Sequence, residues 1–282
     1  MVLNVLTINL EQLNSEATVQ EIKNKERLSI VLPVYNEEAV LETNVLRLRT
    51  FLESTFTYEW EIVIADNMST DQTARIGQML AKSYSGVKYL RINRKGVGVA
   101  LKTAWDKSNA DIHCHIDGDL PFDFADMKRL IEAALEGYDV CFGSRYTNGS
   151  YSDAKPLRRF LSKIFHYWIK LLFSYEYTDI CGIKAVRKEA FKTLSPFLTS
   201  DGWFFNTELM LLANKARMSI KEVPVHVREP PGRKSKVKLL QTISNLFLMT
   251  FKLKLKFWIN CPVQRSAKTK LITMKSVASR AK

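Results

Sequence analysis

The chain has 282 residues, and 46% of them are hydrophobic, which is enough for the core of one large domain or two small ones and excludes a disordered chain. Lysine and arginine outnumber aspartate and glutamate by 42 to 29, so the surface favours phosphate-bearing partners: nucleic acid, anionic membrane or phosphorylated substrate. The four cysteines are widely spaced, which excludes a short disulfide framework, and no apolar run reaches the roughly 20 residues that a membrane-spanning helix needs.

Residues 1–27 form a mixed, polar N-terminal extension to which we assign no chemistry. From residue 28 onward, short β-branched runs alternate with helical patterns. Strands are predicted over 28–34, 60–65, 87–92, 111–116 and 138–142, and helices over 37–54, 70–84, 98–108 and 123–136. Near-continuous apolar strands separated by crossover-length helices predict an α/β fold whose mostly parallel sheet is covered by helices on both faces.

Polar clusters follow three of these strands, at 33–37, 66–71 and 117–119. Ligands of such sheets bind beyond the carboxyl ends of the strands, so we expect the three clusters to meet at one edge. Asp117 and Asp119 stand one residue apart, where two carboxylates can approach a hard divalent cation whose other positions are filled by diphosphate oxygens and water. An Asp-x-Asp triplet alone also occurs in solvated turns, but its place after the fourth strand favours a site.

The second half of the chain is more irregular and richer in aromatic residues. An aromatic helix is predicted over 158–173, an irregular segment over 179–184, a helix near 204–216 and a strand over 220–227. The lysine-rich amphipathic stretch 236–259 and the helix 158–173 fit either a buried core or a membrane interface, and we favour the interface. Alternating lysines near the end of that stretch also permit an edge strand.

Two other patterns have plain structural explanations. The glycine-rich run 94–100 lacks the ending of a phosphate-binding P-loop, so a strand-to-helix turn explains it equally well. His113 and His115 alternate along a predicted strand, and no third ligand follows at a spacing typical of zinc sites. We interpret both histidines as structural.

Five motifs, taken together and in order, resemble those of family 2 glycosyltransferases, and within them the dolichyl-phosphate and polyprenyl-phosphate sugar transferases. They are 32–38, 66–71, 117–120, 143–145 and 182–185, and the resemblance extends from about residue 28 to about 240. It implies a GT-A fold over 28–235, followed by a basic, amphipathic, membrane-associating segment over 236–282. The glycine-rich run also resembles the basic turn that this family has at the same place.

The resemblance implies a set of donor-binding residues. These are Pro33, Tyr35, Glu37, Asp66, Lys95, Asp117 and Ser235. Pro33, Tyr35, Glu37 and Asp66 would border the base and ribose of the nucleotide. Asp117 and Asp119 would hold Mg²⁺ or Mn²⁺ against the diphosphate.

A second set is implied for the reaction itself. It comprises Asp119, Arg145, Asp179, Arg228 and Lys236. Arg145 would face the acceptor phosphate, and Arg228, Ser235 and Lys236 resemble the mobile loop that closes over the donor, where cationic groups suit the charge on the leaving diphosphate. Asp179 is our candidate for a carboxylate near the acceptor.

The sequence also departs from the family pattern. Asn67 and Met68 stand where a second acid and a glycine are usual, and Gly118 and Pro121 replace commoner residues beside the acid pair. Pro121 has no side-chain ligand to offer, so water or donor oxygens would complete a metal shell. These departures leave the base and sugar of the donor open.

The expected activity is inverting transfer of a hexose from a UDP- or GDP-sugar to a polyprenyl phosphate. Because that acceptor is already ionised, alignment and electrostatic stabilisation suffice without a general base. No signal peptide is evident, so we expect a peripheral protein on the cytoplasmic face of a membrane. Three alternatives stay open: a saccharide or lipid hydroxyl acceptor, which requires a carboxylate base; a nucleotidyltransferase; and, from charge alone, a nucleic-acid-binding protein, which we do not expect.

Overall fold

The computed structural model describes residues 26–180, 182–228 and 239–259. The strands are β1 (Arg27–Val34), β2 (Glu59–Asp66), β3 (Val87–Arg91), β4 (Ile112–His115), β5 (Val140–Ser144), β6 (Tyr151–Ser152), β7 (Lys184–Arg187), β8 (Ile220–Pro224) and β9 (His226–Val227). The helices are α1 (Leu41–Thr55), α2 (Thr73–Ser83), α3 (Val97–Lys107), α4 (Phe124–Leu135), α5 (Pro156–Phe173), α6 (Lys188–Leu194), α7 (Phe204–Lys215) and α8 (Leu239–Ile259), with a 3₁₀ turn at Ser195–Phe197. None of the helices in these ranges is both long and apolar enough to cross a membrane.

The main sheet has seven strands in the order β3-β2-β1-β4-β7-β5-β8. β1 pairs in parallel with β2 and with β4, β2 pairs in parallel with β3, and β5 pairs in parallel with β8. β7 runs antiparallel to both of its neighbours. The prediction of a mostly parallel α/β sheet is therefore confirmed, whereas β7 was missed because it begins at the end of the segment predicted to be irregular.

The core consists of two apolar clusters, one on each face of the sheet. Along β1, Ile30 and Leu32 belong to one cluster and Val31 to the other, as the alternation of side chains along a strand requires. All three are fully buried. This double burial explains why the strands carry continuous apolar runs.

Helix α8 packs against α5 at the edge of the core. The rings of Phe165 and Phe247 meet edge to face with centroids 5.6 Å apart, and Trp168 Nε1 donates a hydrogen bond to Thr250 Oγ1 at 2.9 Å. Leu253 joins the core cluster at 4% exposure. Lys252, Lys254 and Lys256 are therefore helical, and the edge-strand alternative is wrong. The predicted boundary between the GT-A domain and the C-terminal segment, at residue 235, lies outside the described residues and stays a prediction.

The glycine-rich turn before α3 packs closely against the segment that leads into α7. A Cβ atom on Gly98 would lie 2.4 Å from the carbonyl oxygen of Ser200 and 2.7 Å from Cβ of Phe205. Val99 N donates to the carbonyl of Asp201 at 3.1 Å, which fixes the two segments together. Close approach of two backbones thus accounts for a glycine at position 98 in the described structure.

We expect Gly98→Ala to lower the free energy of unfolding by about 2 kcal/mol or more, because the added methyl group meets a backbone oxygen that cannot easily move. The measurement is urea denaturation followed by circular dichroism. Gly202→Ala is the matched control, since a Cβ there meets nothing within 4 Å. Equal stabilities of the two variants would contradict this account of the turn.

Candidate functional site

Three polar turns meet at the carboxyl ends of β1, β2 and β4. Val34 at the end of β1 pairs with Asp66 at the end of β2, and its carbonyl accepts a hydrogen bond from Asn67 N at 2.8 Å. On the other side, Asn44 of α1 donates to the carbonyl of Gly118 at 2.9 Å. Gly118 also lies close to β1, since a Cβ atom there would come within 2.9 Å of Val34 Cγ1. The clusters at 33–37, 66–71 and 117–119 thus share one edge, as predicted.

The first two turns are cross-linked by hydrogen bonds between backbone and side chain. Asn36 N donates to Ser69 Oγ at 3.0 Å, and Glu37 N donates to Thr73 Oγ1 at 2.8 Å. Asn36 has a φ of 53°, a left-handed conformation that asparagine tolerates better than most residues. Glu37, which we predicted to border the nucleotide, is held by its backbone while its side chain remains partly exposed.

Asp66 is fully buried and organises the second turn. Its carboxylate accepts hydrogen bonds from Ser69 N at 2.8 Å and Tyr89 Oη at 2.6 Å, and it forms an ion pair with Arg91. Burial alone would raise the pKa of Asp66, but these hydrogen bonds lower it below the usual value. Burial and the adjoining carboxylate raise the pKa of Tyr89 to about 12. In this structure Asp66 shapes the turn, and its contact with a base stays a prediction.

Asn67 connects this turn to the glycine-rich segment. Its side-chain oxygen accepts a hydrogen bond from Gly96 N at 2.9 Å, which positions Lys95 at the edge of the sheet. Lys95 Nζ lies 3.3 Å from Tyr35 Oη and 5.0 Å from the centre of that ring. Two predicted donor-binding residues are thereby brought together. This structural role of Asn67 is not evident from the sequence, where the residue is only a departure from the family pattern.

The acid pair occupies a tight turn directly after β4. Leu120 N donates to the carbonyl of Asp117 at 2.9 Å, and Leu120 has a φ of 48°. Asp117 and Asp119 are both partly exposed. Nε2 of the buried His115 lies 3.3 Å from Asp117 Oδ1, and neither of its ring nitrogens has a hydrogen-bond partner among the described residues. Accessible carboxylate oxygens on one turn fit a hard divalent cation such as Mg²⁺ or Mn²⁺.

A second acidic group lies nearby, made of Asp123, Asp126 and His226, with ligand atoms within 4.8 Å of one another. The Asp126 carboxylate is fully buried, accepts a hydrogen bond from His226 N at 2.6 Å and forms an ion pair with Arg129. These contacts tie α4 to β9. The group therefore has a structural explanation in the contact between α4 and β9.

Arg145 and Asp179 form a buried, two-pronged ion pair. Arg145 Nε donates to Asp179 Oδ2 at 2.8 Å and its Nη2 donates to Oδ1 at 2.9 Å, while Arg145 N also donates to Oδ2 at 3.1 Å. A further bond joins Arg145 Nη2 to Ser162 Oγ of α5 at 3.2 Å. Burial raises the pKa of Asp179, but the charge and hydrogen bonds of Arg145 more than offset this and lower it. Asp179 is thus held ionised, and the acceptor roles of both residues stay predictions.

The segment after β9 begins beside the acid turn. Arg228 is exposed, and its backbone N–H donates to the carbonyl of Pro121 at 2.9 Å. This contact places the start of the predicted closing loop next to the candidate metal ligands. Ser235 and Lys236, which belong to the same predicted loop, lie outside the described residues.

The segment 199–203 is a feature of this edge that sequence reasoning missed. Glu208 of α7 is 1% exposed and accepts hydrogen bonds from Thr199 N at 3.0 Å and Ser200 N at 2.8 Å. Asp201 Oδ1 pairs with Arg94 at 2.6 Å, and Trp203 is 55% exposed. The one sequence signal for this segment is Glu208, a lone acidic residue in an otherwise apolar helix pattern.

His113 lies in an aromatic cluster, in agreement with a structural interpretation. Its ring stacks on Trp105 with centroids 5.9 Å apart and meets Phe191 edge to face. Burial lowers the pKa of His113 to about 4, so the ring is neutral at pH 7.

The family model described as glycosyl transferase family 2 matches residues 29–195, more than half of the chain. Glycosyltransferase AglD of Haloferax volcanii is 31% identical over 220 residues, which cover 77% of this chain and 35% of AglD. Dolichyl-phosphate beta-glucosyltransferase of Saccharomyces cerevisiae is 27% identical over 231 residues, which cover 73% of this chain and 68% of the yeast enzyme. Dolichyl-phosphate beta-glucosyltransferase ALG5A of Trichomonas vaginalis is 30% identical over 224 residues, which cover 74% of this chain and 68% of ALG5A. The chain thus spans about a third of the length of AglD and about two thirds of the other two.

Among solved structures, glucosyl-3-phosphoglycerate synthase from Mycobacterium tuberculosis, crystallised with Mn²⁺, UDP-glucose and phosphoglyceric acid, superposes with a TM-score of 0.61. The match covers 84% of this chain and 82% of that chain at 18% sequence identity. At this identity the likeness concerns the fold, which is of the GT-A type.

We expect Arg145→Met to lower the free energy of unfolding at pH 7 by about 3–5 kcal/mol, because it leaves the Asp179 carboxylate buried without its partner. Arg94→Met is the matched control. The side chains of the Arg94–Asp201 pair are 68% and 52% exposed, so its loss should cost less than about 1 kcal/mol.

The difference between Arg145→Met and the parent should shrink on acidification. In the parent, the pKa of Asp179 is lower in the folded than in the unfolded chain, so its stabilising contribution is present above about pH 4 and lost below it. In the variant, burial without the arginine raises that pKa, so protonation relieves the penalty. Urea denaturation at pH 7 and at pH 4 measures the difference in free energy of unfolding between the parent and Arg145→Met. A difference that does not change with pH would contradict the ion-pair explanation.

Proposed function

The chain belongs to glycosyl transferase family 2, and we propose that it transfers a hexose from a nucleoside diphosphate sugar to a polyprenyl phosphate at a membrane surface. The observation that carries this proposal is the partly exposed Asp117–Asp119 turn at the carboxyl edge of a GT-A sheet, beside the Tyr35–Lys95 contact. The similarity to dolichyl-phosphate beta-glucosyltransferases supports the acceptor class and makes glucose the first sugar to test.

On the donor side, Asp117 and Asp119 would hold Mg²⁺ or Mn²⁺. When bound, such an ion neutralises the diphosphate and makes it a better leaving group. Lys95 adds a positive charge at the same edge, and the Tyr35 ring under it offers a flat apolar surface for the base. Either UDP or GDP fits this arrangement, so the donor panel includes both.

On the acceptor side, a phosphate monoester is already largely ionised at pH 7, with a second pKa of about 6. It therefore attacks the anomeric carbon directly, and the remaining task of the protein is to align it and to exclude water. The Arg145–Asp179 pair supports this choice over a hydroxyl acceptor, because a carboxylate held ionised by an arginine is a poor base for an alcohol.

The membrane contact is proposed from the surface of α5 and α8. On α5, Phe160, Ile164, Tyr167 and Leu171 are 61%, 42%, 70% and 79% exposed. On α8, Leu248 is 54% exposed and Phe251 is 51% exposed. Lysines flank these apolar side chains, which is the pattern of a helix pair lying in a lipid interface, with its charges at the headgroups.

The decisive assay measures release of nucleoside diphosphate from UDP- and GDP-hexoses, with Mg²⁺ or Mn²⁺, in the presence and absence of a short polyprenyl phosphate. We expect release that requires both the metal and the lipid phosphate. Asp117→Asn and Asp119→Asn should each reduce it by at least about 100-fold, because the charge that stabilises the leaving group is lost.

Asp106→Asn is the control for these variants, since Asp106 is exposed on α3 and outside the candidate site. Near-normal turnover in Asp117→Asn would remove the metal assignment. Release that needs an alcohol acceptor and ignores the lipid phosphate would keep the family but reject the proposed acceptor.

We expect the protein to sediment with vesicles that contain phosphatidylglycerol, and less so as salt is raised, because lysines near an anionic surface contribute about 1 kcal/mol each. The double variant Phe160→Ser/Leu171→Ser should bind at least about tenfold more weakly, since it removes apolar surface from the interface. Met79→Ser is the control, because Met79 is a 41% exposed apolar residue on α2. Equal binding of the double variant and the control would reject this face as the contact.

A further inference from the structure

The last residue of β4, His115, lies directly behind the acid turn. Its side chain is 3% exposed, whereas that of Asp117 is 38% exposed. Nε2 of His115 lies 3.3 Å from Asp117 Oδ1. A buried imidazole thus contacts, from the protein side, the carboxylate of a proposed metal ligand.

The sheet fixes the position of the His115 ring. His115 pairs with Val31 of β1 on one side and with Lys184 of β7 on the other, so the three side chains stand on the same face of the sheet. The backbone just beyond is held as well, since Ile116 N donates to the carbonyl of Val31 at 3.2 Å. The ring therefore belongs to the rigid sheet, while Asp117 belongs to the turn that follows it.

The two strand neighbours of His115 offer no side-chain acceptor to its ring. Val31 has no polar side-chain atom, and the fully buried Lys184 has only donors, one of which goes to the carbonyl of Gly182 at 3.0 Å. In the described part of the chain, neither ring nitrogen of His115 has a hydrogen-bond partner of good geometry. Asp117 Oδ1 is an acceptor within reach of Nε2.

A buried N–H at this place favours one orientation of the Asp117 carboxylate. A buried donor without a partner is destabilising, and a hydrogen bond to a carboxylate is stronger than one to a neutral acceptor. The separation of 3.3 Å exceeds the roughly 2.7–2.9 Å of such a bond, so a small rotation of the Asp117 side chain would complete it. An imidazole that faces a carboxylate carries its hydrogen on the nearer nitrogen.

The other histidine of β4 has different surroundings. His113 lies two residues earlier on the same face, where its ring stacks on Trp105 with centroids 5.9 Å apart and meets Phe191 edge to face. An aromatic cluster accounts for that ring. The ring of His115 is accounted for by the carboxylate of Asp117, which an aromatic or aliphatic residue at this position could not bind.

We propose that His115 is a positioning residue for Asp117, whose carboxylate it orients by donating Nε2–H to one oxygen before a divalent cation binds. This inference rests on the proposed role of Asp117 as a metal ligand, and it deepens that role by naming the group that orients the ligand. Removal of a group that hydrogen-bonds to a metal ligand typically lowers metal affinity by about 10- to 100-fold.

The test is titration of the full chain with Mn²⁺ alone, with the unbound ion followed by electron paramagnetic resonance. His115→Phe should weaken Mn²⁺ binding by about tenfold or more, because it keeps a buried ring but removes the N–H. His115→Gln keeps an N–H near the position of Nε2 and should recover part of that affinity. His113→Phe is the matched control, since it makes the same change on the same strand beside Trp105, and it should bind Mn²⁺ as the parent does.

Unfolding measurements separate a positioning role from a structural one. Without metal, His115→Phe should melt at or above the temperature of the parent, because it removes an unsatisfied buried group. If its larger ring packs badly, His115→Leu removes the same N–H with a smaller side chain and should show the same loss of Mn²⁺ affinity. In the transfer assay, the Mn²⁺ concentration for half-maximal rate should rise by the same factor, while the rate at saturating Mn²⁺ changes little.

Two results would overturn the positioning role. One is parental Mn²⁺ affinity in both His115→Phe and His115→Leu. The other is an equal loss in His115→Gln or in His113→Phe, which would indicate a general disturbance of β4.

Failure of this inference is separable from failure of the proposed function, because Asp117→Asn reports on the metal ligand itself. Loss of Mn²⁺ binding in Asp117→Asn, without loss in His115→Phe and His115→Leu, would keep the metal assignment and reject the positioning role. Parental Mn²⁺ binding in Asp117→Asn would reject the metal assignment and the positioning role with it.

Discussion

The backbone of β1 is the part on which the candidate site depends. Its carbonyl groups accept hydrogen bonds from the residues that follow both neighbouring strands: Val31 from Ile116 N at 3.2 Å, and Val34 from Asn67 N at 2.8 Å. Parallel pairing already brings the strand ends to one edge. These hydrogen bonds also hold the first residue after each neighbouring strand against β1, which fixes where the turns begin. The positions of the acid turn and of the Asp66 turn are therefore fixed by main-chain geometry before any side chain contributes.

The carboxylates at this edge divide by burial. Asp66 and Asp179 are 0% and 1% exposed, and each is held by an arginine and by backbone N–H groups. Such groups are expensive to bury and costly to disturb, so they organise loops. Asp117 and Asp119 remain partly exposed on a tight turn, which leaves them accessible to a ligand. Burial thus separates the aspartates that organise loops from the two that we propose as metal ligands.

The sequence was informative wherever a local pattern carries the information. The apolar runs predicted β1 to β5 to within two residues at each end, because burial on both faces requires them, and the spaced motifs pointed to the correct family. Contacts between distant segments were not predictable in this way. Nothing local indicates that Arg145 pairs with Asp179, that Glu208 holds the segment before α7, or that Asn67 orients Gly96. Strand β7 was missed because a short run that begins with a buried lysine has no apolar signature.

The reversed direction of β7 affects how the two sides of the candidate site are built. Because it runs antiparallel between β4 and β5, its first residue, Lys184, lies at the edge where those strands end. The connection from α5 therefore arrives at the ligand edge, whereas a parallel strand would have placed it at the opposite end of the sheet. The connection between Phe173 and Lys184 therefore brings the buried Arg145–Asp179 pair to one side of this edge, while β1, β2 and β4 carry their turns on the other side. One inverted strand thus makes the two sides of the candidate site depend on different parts of the chain: one on a single connection with its own buried ion pair, the other on the main-chain pairing of parallel strands.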